Sequence, residues 1–570
     1  MATNKRRKLD GSGNGSGNGS GSGNSTPTAE ANQTQSSESE KGRPDRILIR
    51  QYSSFKPNKK NLQKKAGGRL VLTTQAGERL VILGSFGIKV REGEATVAGA
   101  ILTPVDDVQW VHAPHCHAVP VLRTADDTVL ELHPHPAAKG LRQLANLNPG
   151  FAKLWNETAN EADSKARSST FEIIYTSQDV PKRAVLQELV SPAEWNKKLS
   201  GLVAAKRKGT PVIFMCGPKS SGKSTFGRLL ANRLMTDRGG TRNKPWSTVM
   251  VLDVDPGQPE YSPPGVISLC KITTPNLSPS FCHPTLSPAE GQVRAHAIAS
   301  VTPAQDPAHF IECVLDLFAH YQQGPDAKCP LVINTPGWIQ GTGLDILTEL
   351  IASIQPTEVI YMSQDGPDET VNTLRSACTT TTLPTPFSSL PSQPNDSAPA
   401  RTSLHFRTMQ TMSYFHLAHQ HQTSPLPSWN PTPLTALRPW RVRYPAPDLL
   451  AEAINGTVLA LVKVENRAAA FAATAASSSP RPSTTPHPLK TPKYRSSPTR
   501  RASPSPRHSR FLCLVLVRGI DPSNHELQLL TPLPRETVAS LAGSGAAAEQ
   551  LVLVAGGSTR PRGRTARTCI

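Results

Sequence analysis

A glycine-rich segment in the middle of the chain combines the residue types that bind a triphosphate. Residues 217–224 carry Gly, Lys and Ser at every fixed position of the pattern G-x-x-x-x-G-K-[ST]. The two glycines let the backbone curl so that successive N–H groups surround phosphate oxygens. The spacing predicts an ATP-type phosphate-binding loop formed by Gly217, Pro218, Lys219, Ser220, Ser221, Gly222, Lys223, Ser224 and Thr225.

The segments on either side of this loop have the pattern that the motif needs. An apolar run at residues 212–215 predicts a buried strand before the loop. After the loop, apolar residues recur at helical spacing at Phe226, Leu229, Leu230 and Leu234. A helix N-terminus adds partial positive charge where phosphate binds. Because strand, loop and helix agree with each other, a chance match is a poor explanation of the motif.

Carboxylates follow the next predicted strand, which is the apolar run at residues 248–252. This run leads into Asp253 and Asp255, about 30 residues after the glycine-rich loop. Carboxylates at the carboxyl end of such a strand handle magnesium or activate the attacking group. The alternative interpretation is an acidic turn that only faces solvent.

Two further apolar runs, residues 329–333 and 358–362, predict buried strands of the same sheet. Trp338 lies on the loop after the first run, on the side of the sheet where ligands bind. Strands that alternate with helical segments predict a parallel α/β nucleotide-binding domain over residues 196–445.

The segments around this domain differ from it in composition. Short β-prone runs predict β-rich domains over residues 46–195 and 446–570. Thr, Ser and Pro dominate residues 376–400, which we interpret as an inserted loop, and residues 467–510 as a basic disordered insertion. Residues 1–45 hold little apolar surface and predict a disordered tail.

Charge and composition indicate the class of partner. The formal net charge is +19, which favours a polyanionic partner such as nucleic acid. Near the N-terminus, the run Lys5, Arg6, Arg7 and Lys8 resembles a nuclear import signal. No apolar run approaches the roughly 18 residues of a membrane span, so we expect no membrane partner.

The cysteines and histidines indicate neither disulfides nor a metal site. The chain has 9 cysteines without a CxxC pair, which is typical of reduced thiols in an intracellular protein. His112, His115, Cys116 and His117 lie close together in the sequence and could form a metal site. We favour a strand followed by a turn, because structural zinc ligands usually come in two separated pairs.

Four motifs in order resemble one family. They are GPKSSGKST, DVDPGQPEYSPPG at residues 253–265, NTPGWIQGTG at residues 334–343 and MSYFH at residues 412–416. Together they resemble the polynucleotide 5′-hydroxyl kinases, in the branch that processes fungal pre-ribosomal RNA. The kinase-like subunit of the messenger-RNA 3′-end cleavage machinery is a close relative of that family. The resemblance implies a central P-loop kinase domain flanked by two β-rich domains.

The resemblance also implies a reaction and its setting. The enzyme would transfer the γ-phosphate of ATP, with Mg²⁺, to the 5′-hydroxyl of RNA. Its partner would be an endoribonuclease that leaves a 5′-hydroxyl end, and its location the nucleus and in particular the nucleolus.

Catalytic roles follow from the same resemblance. Lys223 matches the phosphate-binding lysine and Ser224 the magnesium ligand, with Asp253 supporting the metal. Asp255 matches the carboxylate that activates the RNA hydroxyl. The two arginines that match the lid of the family, where charge on the transferred phosphoryl group is neutralised, are Arg401 and Arg407.

RNA contacts are implied in the same way. Trp338 matches the aromatic residue that holds the terminal nucleotide, in agreement with base stacking on aromatic faces. Gln258 would support water and the RNA end.

Two other functions remain as alternatives. The first is a catalytically silent ATP-binding scaffold of an RNA-processing complex. The second is a regulatory GTPase, but the strand at residues 358–362 leads into Ser-Gln-Asp-Gly and not into the guanine-reading pattern.

Overall fold

The computed structural model describes residues 49–152, 154–155, 169–180, 186–205, 209–238, 244–284, 291–380, 384–394, 401–418, 426–443, 454–472, 504–542, 551–555 and 568–569. The predicted N-terminal tail over residues 1–45, with its basic run, lies outside this part of the chain. Among the helices of the described residues, none is both long and apolar enough to cross a membrane.

An antiparallel sheet of nine strands makes up the N-terminal module, as the β-prone runs predict. Its strands are β1 (Leu62–Lys64), β2 (Leu70–Thr74), β3 (Arg79–Glu92), β4 (Ala95–Val97), β5 (Ala100–Leu102), β6 (Gln109–Ala113), β7 (Val121–Thr124), β8 (Thr128–Pro134) and β9 (Phe171–Ile174). The long strand β3 pairs with β6, β7, β8 and β9, so it is buried along most of its length. Helix α1 (Ala138–Gln143) and a 3₁₀ turn, Pro149–Phe151, follow β8.

The central sheet has the order β13-β12-β11-β14-β10-β15-β16. Its strands are β10 (Val212–Cys216), β11 (Val249–Asp253), β12 (Val266–Ile272), β13 (Gln292–Ala297), β14 (Leu331–Asn334), β15 (Glu358–Tyr361) and β16 (Phe387–Ser389). The five strands from β11 to β16 in this order are parallel, as the sequence predicts for a P-loop domain. Strands β12 and β13 extend the sheet in the antiparallel sense.

Helices cover both faces of the central sheet. They are α2 (Ala193–Ala204), α3 (Lys223–Thr236), α4 (Pro307–Gln323), α5 (Thr342–Ile354) and α6 (Asp368–Thr379). Because side chains of a strand alternate between faces, Ile213 and Met215 of β10 pack with α2 and α3, while Phe214 and Cys216 pack with α4 and α5. This two-sided burial explains the continuous apolar runs that identify the strands in the sequence.

Helix α7 (Ser403–Phe415) and a two-stranded sheet of β17 (Leu417–Ala418) and β18 (Ser428–Trp429) follow the central sheet. An antiparallel six-stranded sheet then forms the C-terminal module, in the order β19-β22-β21-β20-β23-β24. Its strands are β19 (Trp440–Arg443), β20 (Val458–Val464), β21 (Ser509–Asp521), β22 (Glu526–Leu530), β23 (Leu551–Ala555) and β24 (Thr568–Cys569), and its helices are α8 (Arg467–Ala472) and α9 (Arg535–Ala542). This sheet confirms the predicted β-rich C-terminal region, and β19 lies before the predicted boundary at residue 446.

Both predicted insertions are wrong in their extent. Within residues 376–400, the first residues complete α6, and Phe387–Ser389 forms β16, which pairs in parallel with β15. Within residues 467–510, helix α8 opens the segment and a 3₁₀ turn, Pro506–His508, leads into β21. Local propensity for a strand is weak in a segment rich in Pro and Ser, and β16 forms there by pairing with β15. Residues 381–383, 395–400 and 473–503 lie outside the described residues.

Candidate active site

The phosphate loop connects β10 to α3 in a conformation that requires its glycines. Gly217 and Gly222 have φ angles of 143° and 97°, and Ser220 also has a positive φ of 64°. A Cβ added to Gly217 would lie 3.0 Å from the backbone nitrogen of Met362, and one added to Gly222 would lie 2.7 Å from the Trp195 ring. Neither position therefore accommodates a side chain. The backbone of residues 217–222 thus has a tightly curled conformation that depends on glycine at both positions.

The side chains of the loop differ in exposure. Lys219 and Ser220 are exposed, Pro218 and Thr225 are half-buried, and Ser221 is buried. The Ser221 hydroxyl has no hydrogen-bond partner within the described residues. A buried polar atom in this loop is suited to a polar ligand such as a phosphate oxygen.

The amino group of Lys223 lies against the loop that precedes it. Its Nζ donates to the carbonyl oxygen of Gly217 at 3.0 Å and to that of Pro218 at 2.8 Å. Burial lowers the pKa of Lys223, and the nearby charge of Asp255 opposes this shift. The positive charge is thus held between the phosphate loop and the candidate catalytic carboxylate.

A chain of hydrogen bonds joins the phosphate loop to the end of β11. Ser224 Oγ donates to Asn334 Oδ1 at 3.4 Å, and Asn334 Nδ2 donates to Asp253 Oδ1 at 3.0 Å. The two strands place these residues side by side, because Asp253 and Asn334 are register partners of β11 and β14. The second oxygen of Asp253 accepts the N–H of Glu260 at 2.5 Å. Burial raises the pKa of Asp253 to about 7 against the opposing hydrogen bonds from Glu260 and Asn334.

The oxygen atoms at this point fit a magnesium ion. Magnesium prefers oxygen ligands and is usually held by one or two protein groups together with phosphate and water. Ser224 supplies a hydroxyl, Asp253 a fully buried carboxylate and Asn334 an amide oxygen. A bound cation would also stabilise the buried negative charge of Asp253.

Asp255 lies on the loop that follows β11. Its Oδ1 accepts the N–H groups of Gly257 at 2.9 Å and Gln258 at 3.3 Å, which fixes the carboxylate at the start of a tight turn. Burial raises the pKa of Asp255, and the Gly257 N–H, then Lys223, then Arg407 lower it in part. A carboxylate whose pKa is raised, beside a lysine of the phosphate loop, is suited to accept a proton. The Gln258 side chain is exposed next to it.

The loop after β14 packs directly on the phosphate loop. A Cβ added to Gly337 would lie 2.6 Å from the Cα of Lys219, so the two backbones touch. Trp338 is half-buried and its ring covers Gly343, where an added Cβ would lie 2.5 Å from Trp338 Cγ. Trp338 therefore stands beside the phosphate loop and also packs on the protein core.

The two arginines that are predicted to form the lid are placed differently. Arg407, on helix α7, lies close enough to Asp255 for its charge to lower the pKa of that carboxyl after burial has raised it. Arg401 precedes the helix and donates to the carbonyl oxygen of Gly150 at 3.1 Å and to that of Ala152 at 3.2 Å. Arg401 is thus held against the N-terminal module, whereas the charge of Arg407 acts on Asp255.

Comparisons with known proteins decide the family. Residues 217–417 match the family model described as the mRNA cleavage and polyadenylation factor CLP1 P-loop. The chain is 47% identical to "Polynucleotide 5′-hydroxyl-kinase GRC3" of Gibberella zeae over 524 residues, which is 87% of this chain and 71% of the relative. The chain belongs to the polynucleotide 5′-hydroxyl-kinase GRC3 family.

More distant members of the GRC3 family match over less of their length. The chain is 34% identical to the polynucleotide 5′-hydroxyl-kinase grc3 of Aspergillus oryzae, over 73% of this chain and 53% of the relative. The relative from Emericella nidulans is also 34% identical, over 73% of this chain and 54% of the relative. The chain thus spans about half the length of these two relatives. As a member of this family, the chain is a nucleotide-binding P-loop kinase.

Solved structures of Clp1p are also similar to this GRC3-family chain. One is titled a complex of wild-type Clp1p with Pcf11p, with 12% identity, a TM-score of 0.48, and coverage of 83% of this chain and 96% of that chain. A second, titled for an extended interface between Pcf11p and Clp1p, has 12% identity, a TM-score of 0.46, and coverage of 82% and 96%.

A polar cluster around Glu260, next to Asp253, was not predicted from the sequence. Glu260, whose N–H binds Asp253, accepts from Asn276 Nδ2 at 2.8 Å and lies 3.2 Å from His283 Nε2 and 3.9 Å from Arg228 Nε. Burial would raise the pKa of Glu260, but the charge of Arg228 and the hydrogen bonds from His283 and Asn276 lower it to about 2. Its motif position, seven residues after Asp253, is the only signal that the sequence contains.

The histidine-rich segment confirms the strand-and-turn interpretation. His112 lies at the end of β6, where its Nδ1 and the Ser85 hydroxyl share a hydrogen bond of 2.7 Å. Throughout the described part of the chain, no group of three or more His, Cys, Asp or Glu residues could hold a metal ion. Within the described residues, the eight cysteines from Cys116 to Cys513 form no disulfide.

Proposed function

We propose that this chain transfers the γ-phosphate of ATP to the 5′-hydroxyl of RNA. The observation that carries the proposal is the Asp255 carboxylate, which the N–H groups of Gly257 and Gln258 fix after β11, close enough to Lys223 for the two charges to act on each other's pKa. A phosphate cradle alone is common to many nucleotide-binding proteins, whereas a carboxylate at this position supplies a base for a hydroxyl acceptor.

The residues divide the reaction into positioning and charge neutralisation. Backbone N–H groups of the loop and the Lys223 ammonium hold the phosphates, and Asp255 accepts the proton of the attacking 5′-hydroxyl. The positive charge of Arg407 acts on the same carboxylate and lowers its pKa in part. Little covalent chemistry is needed, because phosphoryl transfer is accelerated mainly by alignment and electrostatics.

Magnesium is part of the proposal because the residues present fit it. Ser224 and Asp253 would hold the ion, with Asn334 orienting both side chains through its hydrogen bonds. When bound, magnesium neutralises charge that develops on the phosphates.

The RNA end would be held by Trp338 and Gln258. Trp338 follows Gly337, which touches the phosphate loop, and its half-buried ring would stack on the terminal base. Gln258 is exposed close to Asp255 in the chain. The formal net charge of +19 supports a polyanionic substrate.

The cellular role extends this proposal. We propose that the enzyme acts in pre-ribosomal-RNA processing in the nucleus and nucleolus, together with an endoribonuclease that leaves a 5′-hydroxyl end. The basic run at residues 5–8 supports nuclear import, and the need for a 5′-hydroxyl substrate supports such a nuclease.

The test is a transfer assay with purified protein, radiolabelled ATP and RNA that carries a 5′-hydroxyl. Label on the RNA 5′ end, lost in Lys223→Ala and absent with 5′-phosphorylated RNA, is the expected result. DNA of the same sequence and the addition of a 5′-hydroxyl-generating nuclease define substrate preference and partner dependence. ATP binding without transfer under all these conditions would support the scaffold and overturn the proposed activity.

A further inference from the structure

Helix α7 contacts three parts of the molecule through different faces. Residues at i, i+3 and i+7 lie on one side of a helix, so Phe406, Met409 and Ser413 share one face, and Arg407, Gln410 and Tyr414 share the neighbouring face. The two faces contact different parts of the protein.

The first face packs on the N-terminal module and the segment before β13. The Phe406 ring lies 4.4 Å from the His117 ring between centroids, and a Cβ added to Gly150 would lie 2.9 Å from Met409 Cγ. Met409 is fully buried, and Ser413 Oγ donates to the carbonyl oxygen of Phe281 at 2.5 Å. This face is therefore fixed by close packing, since a core of this density does not deform easily.

The second face contacts the C-terminal module and the catalytic loop, which is the segment of residues 254–265 that carries Asp255. Gln410 Nε2 donates to the carbonyl oxygens of Pro259 and Ser262, both at 2.9 Å, and the residue is only 2% exposed. Tyr414 Oη accepts the N–H of Leu514 at 2.9 Å. The helix that carries Arg407 is thus bonded to the same loop that carries Asp255.

Arg401 fixes the start of this helix to the N-terminal module. Its guanidinium makes two hydrogen bonds to carbonyls at the end of the turn Pro149–Phe151. Its charge reaches the same module, because burial first, and the charges of Arg228 and Arg401 after it, lower the pKa of His117 to about 3. The helix then begins at once, with Thr402 as its N-cap in a capping box with His405.

We infer that Arg401 is a positioning residue that sets Arg407 against the catalytic loop by tying the start of helix α7 to the N-terminal module. This inference rests on the proposed kinase function. It assigns the N-terminal β-rich module a part in building the active site, and it removes Arg401 from the group that neutralises the transferred phosphoryl. The Nε and Nη2 groups of Arg401 already donate to the carbonyls of Gly150 and Ala152, whereas Arg407 lies on the helix face that Gln410 binds to the loop of Asp255.

The consequence is a loss of alignment when the anchor is removed. One residue of a helix rises by about 1.5 Å, and a misplacement of about 1 Å in an active site can lower the rate roughly 10²-fold. Arg401→Ala should therefore lower the turnover number 10- to 100-fold and leave the KM for ATP within about threefold, because the phosphate loop is untouched. Arg401→Lys keeps the charge and one hydrogen bond and should recover part of the rate.

A double-mutant cycle separates positioning from direct contact. Single-turnover phosphorylation of 5′-hydroxyl RNA is measured for wild type, Arg401→Ala, Arg407→Ala and the double variant. If Arg401 acts through Arg407, removal of Arg401 causes no further loss once Arg407 is absent. Losses that multiply in the double variant, or an Arg401→Ala enzyme as fast as wild type, would overturn the inference. Arg123→Ala, an exposed arginine of the same module, is the matched control.

Hydrogen exchange gives a readout that does not depend on activity. In Arg401→Ala, amides of residues 403–409 should exchange faster than in wild type, whereas Arg407→Ala and Arg123→Ala should leave them unchanged. If wild type transfers no phosphate, the proposed function is wrong. Hydrogen exchange then still tests whether Arg401 anchors the start of helix α7. Unchanged exchange in both Arg401→Ala and Arg401→Lys would then refute the anchor.

Discussion

Asn334 donates a hydrogen bond of 3.0 Å to Asp253 from the neighbouring parallel strand. The same amide accepts the Ser224 hydroxyl through its oxygen, so one side chain orients both candidate magnesium ligands. Asp253 is fully buried, so protein groups and not bulk water orient its carboxylate. An amide at the end of β14 can make both hydrogen bonds because it has a donor and an acceptor.

Asn334→Ala should weaken magnesium use more than ATP binding. Loss of a residue that orients metal ligands typically lowers metal affinity about 10- to 100-fold. Transfer should fall at limiting magnesium and recover as its concentration rises, which a magnesium titration of the initial rate measures. Asn524→Ala, in an exposed turn of the C-terminal module, is the control. An unchanged magnesium midpoint would contradict the role of Asn334.

Gly337→Ala should displace the phosphate loop. The new methyl group would lie 2.6 Å from the Cα of Lys219, which is backbone that cannot move aside without reshaping the loop. We expect ATP affinity to fall at least tenfold, measured by nucleotide titration. Gly201→Ala in α2 is the control, since nothing lies within 4 Å of its new Cβ, and it should stabilise the protein by about 0.5–1 kcal/mol. Equal ATP affinity in both variants would show that the loop contact is dispensable.

Trp338→Ala should raise the KM for RNA much more than the KM for ATP. A stacked base contributes roughly 1–3 kcal/mol, which corresponds to about a tenfold to hundredfold change. Because the ring also covers Gly343, Trp338→Phe is the matched variant that keeps an aromatic surface there and should retain most RNA affinity. The measurement is a pair of substrate titrations for each variant. Equal losses for ATP and RNA would identify the residue as core packing.

A buried ion pair between the central sheet and α4 should make stability depend on pH. Arg294 Nε donates to Asp316 Oδ2 at 2.7 Å, and the same guanidinium donates to the carbonyls of Pro506 and Ser509. Burial would raise the pKa of Asp316, but the hydrogen bond from His296 and the charge of Arg294 hold it below its usual range. The stabilisation is therefore present above the unfolded pKa of about 3.9 and is lost as the pH falls through the folded pKa.

Asp316→Asn tests this pair. It should lower the free energy of unfolding at pH 7 by about 3 kcal/mol, the low end for breaking a buried pair, because Arg294 keeps only the more exposed Glu465 at 3.5 Å. Urea denaturation between pH 7 and about pH 3 measures it, and the difference from wild type should shrink at the acidic end. Asp326→Asn breaks a more exposed pair with Lys271 and should change stability by less than about 1 kcal/mol. A difference between Asp316→Asn and wild type that stays constant across the pH range would contradict a stabilising, ionised Asp316.

The parts that follow from local pattern were predictable from the sequence. The phosphate loop has a fixed spacing, and the strand that ends at Asp253 is a continuous apolar run because both its faces are buried. The position of Asn334 next to Asp253 could also have been predicted, since the parallel register of two predicted strands brings their carboxyl ends together. A local pattern does not contain the contacts of Arg401 with Gly150 or of Gln410 with Pro259, because they join residues far apart in the sequence. Strand β16 was not predicted for a related reason. Its Ser-rich segment becomes a strand only by pairing with β15.

Asp255→Asn and Asp253→Asn distinguish the proposed base from the proposed metal ligand. Asp255→Asn keeps the shape of the side chain and an oxygen for the Gly257 N–H, but it removes the basicity. Transfer should fall by roughly 10²–10⁴, the range typical for loss of a general base, while ATP still binds to the intact phosphate loop.

Asp253→Asn should behave differently, because its oxygens accept from Glu260 and Asn334 and it lies next to Ser224 through the Asn334 amide. Its loss of transfer should be recovered in part at high magnesium, whereas that of Asp255→Asn should not. ATP affinity and single-turnover phosphorylation of 5′-hydroxyl RNA, measured side by side over a range of magnesium concentrations, distinguish the two. A wild-type single-turnover rate in Asp255→Asn would exclude it as the base and direct attention to Asp253, since that is the other carboxylate at the end of β11.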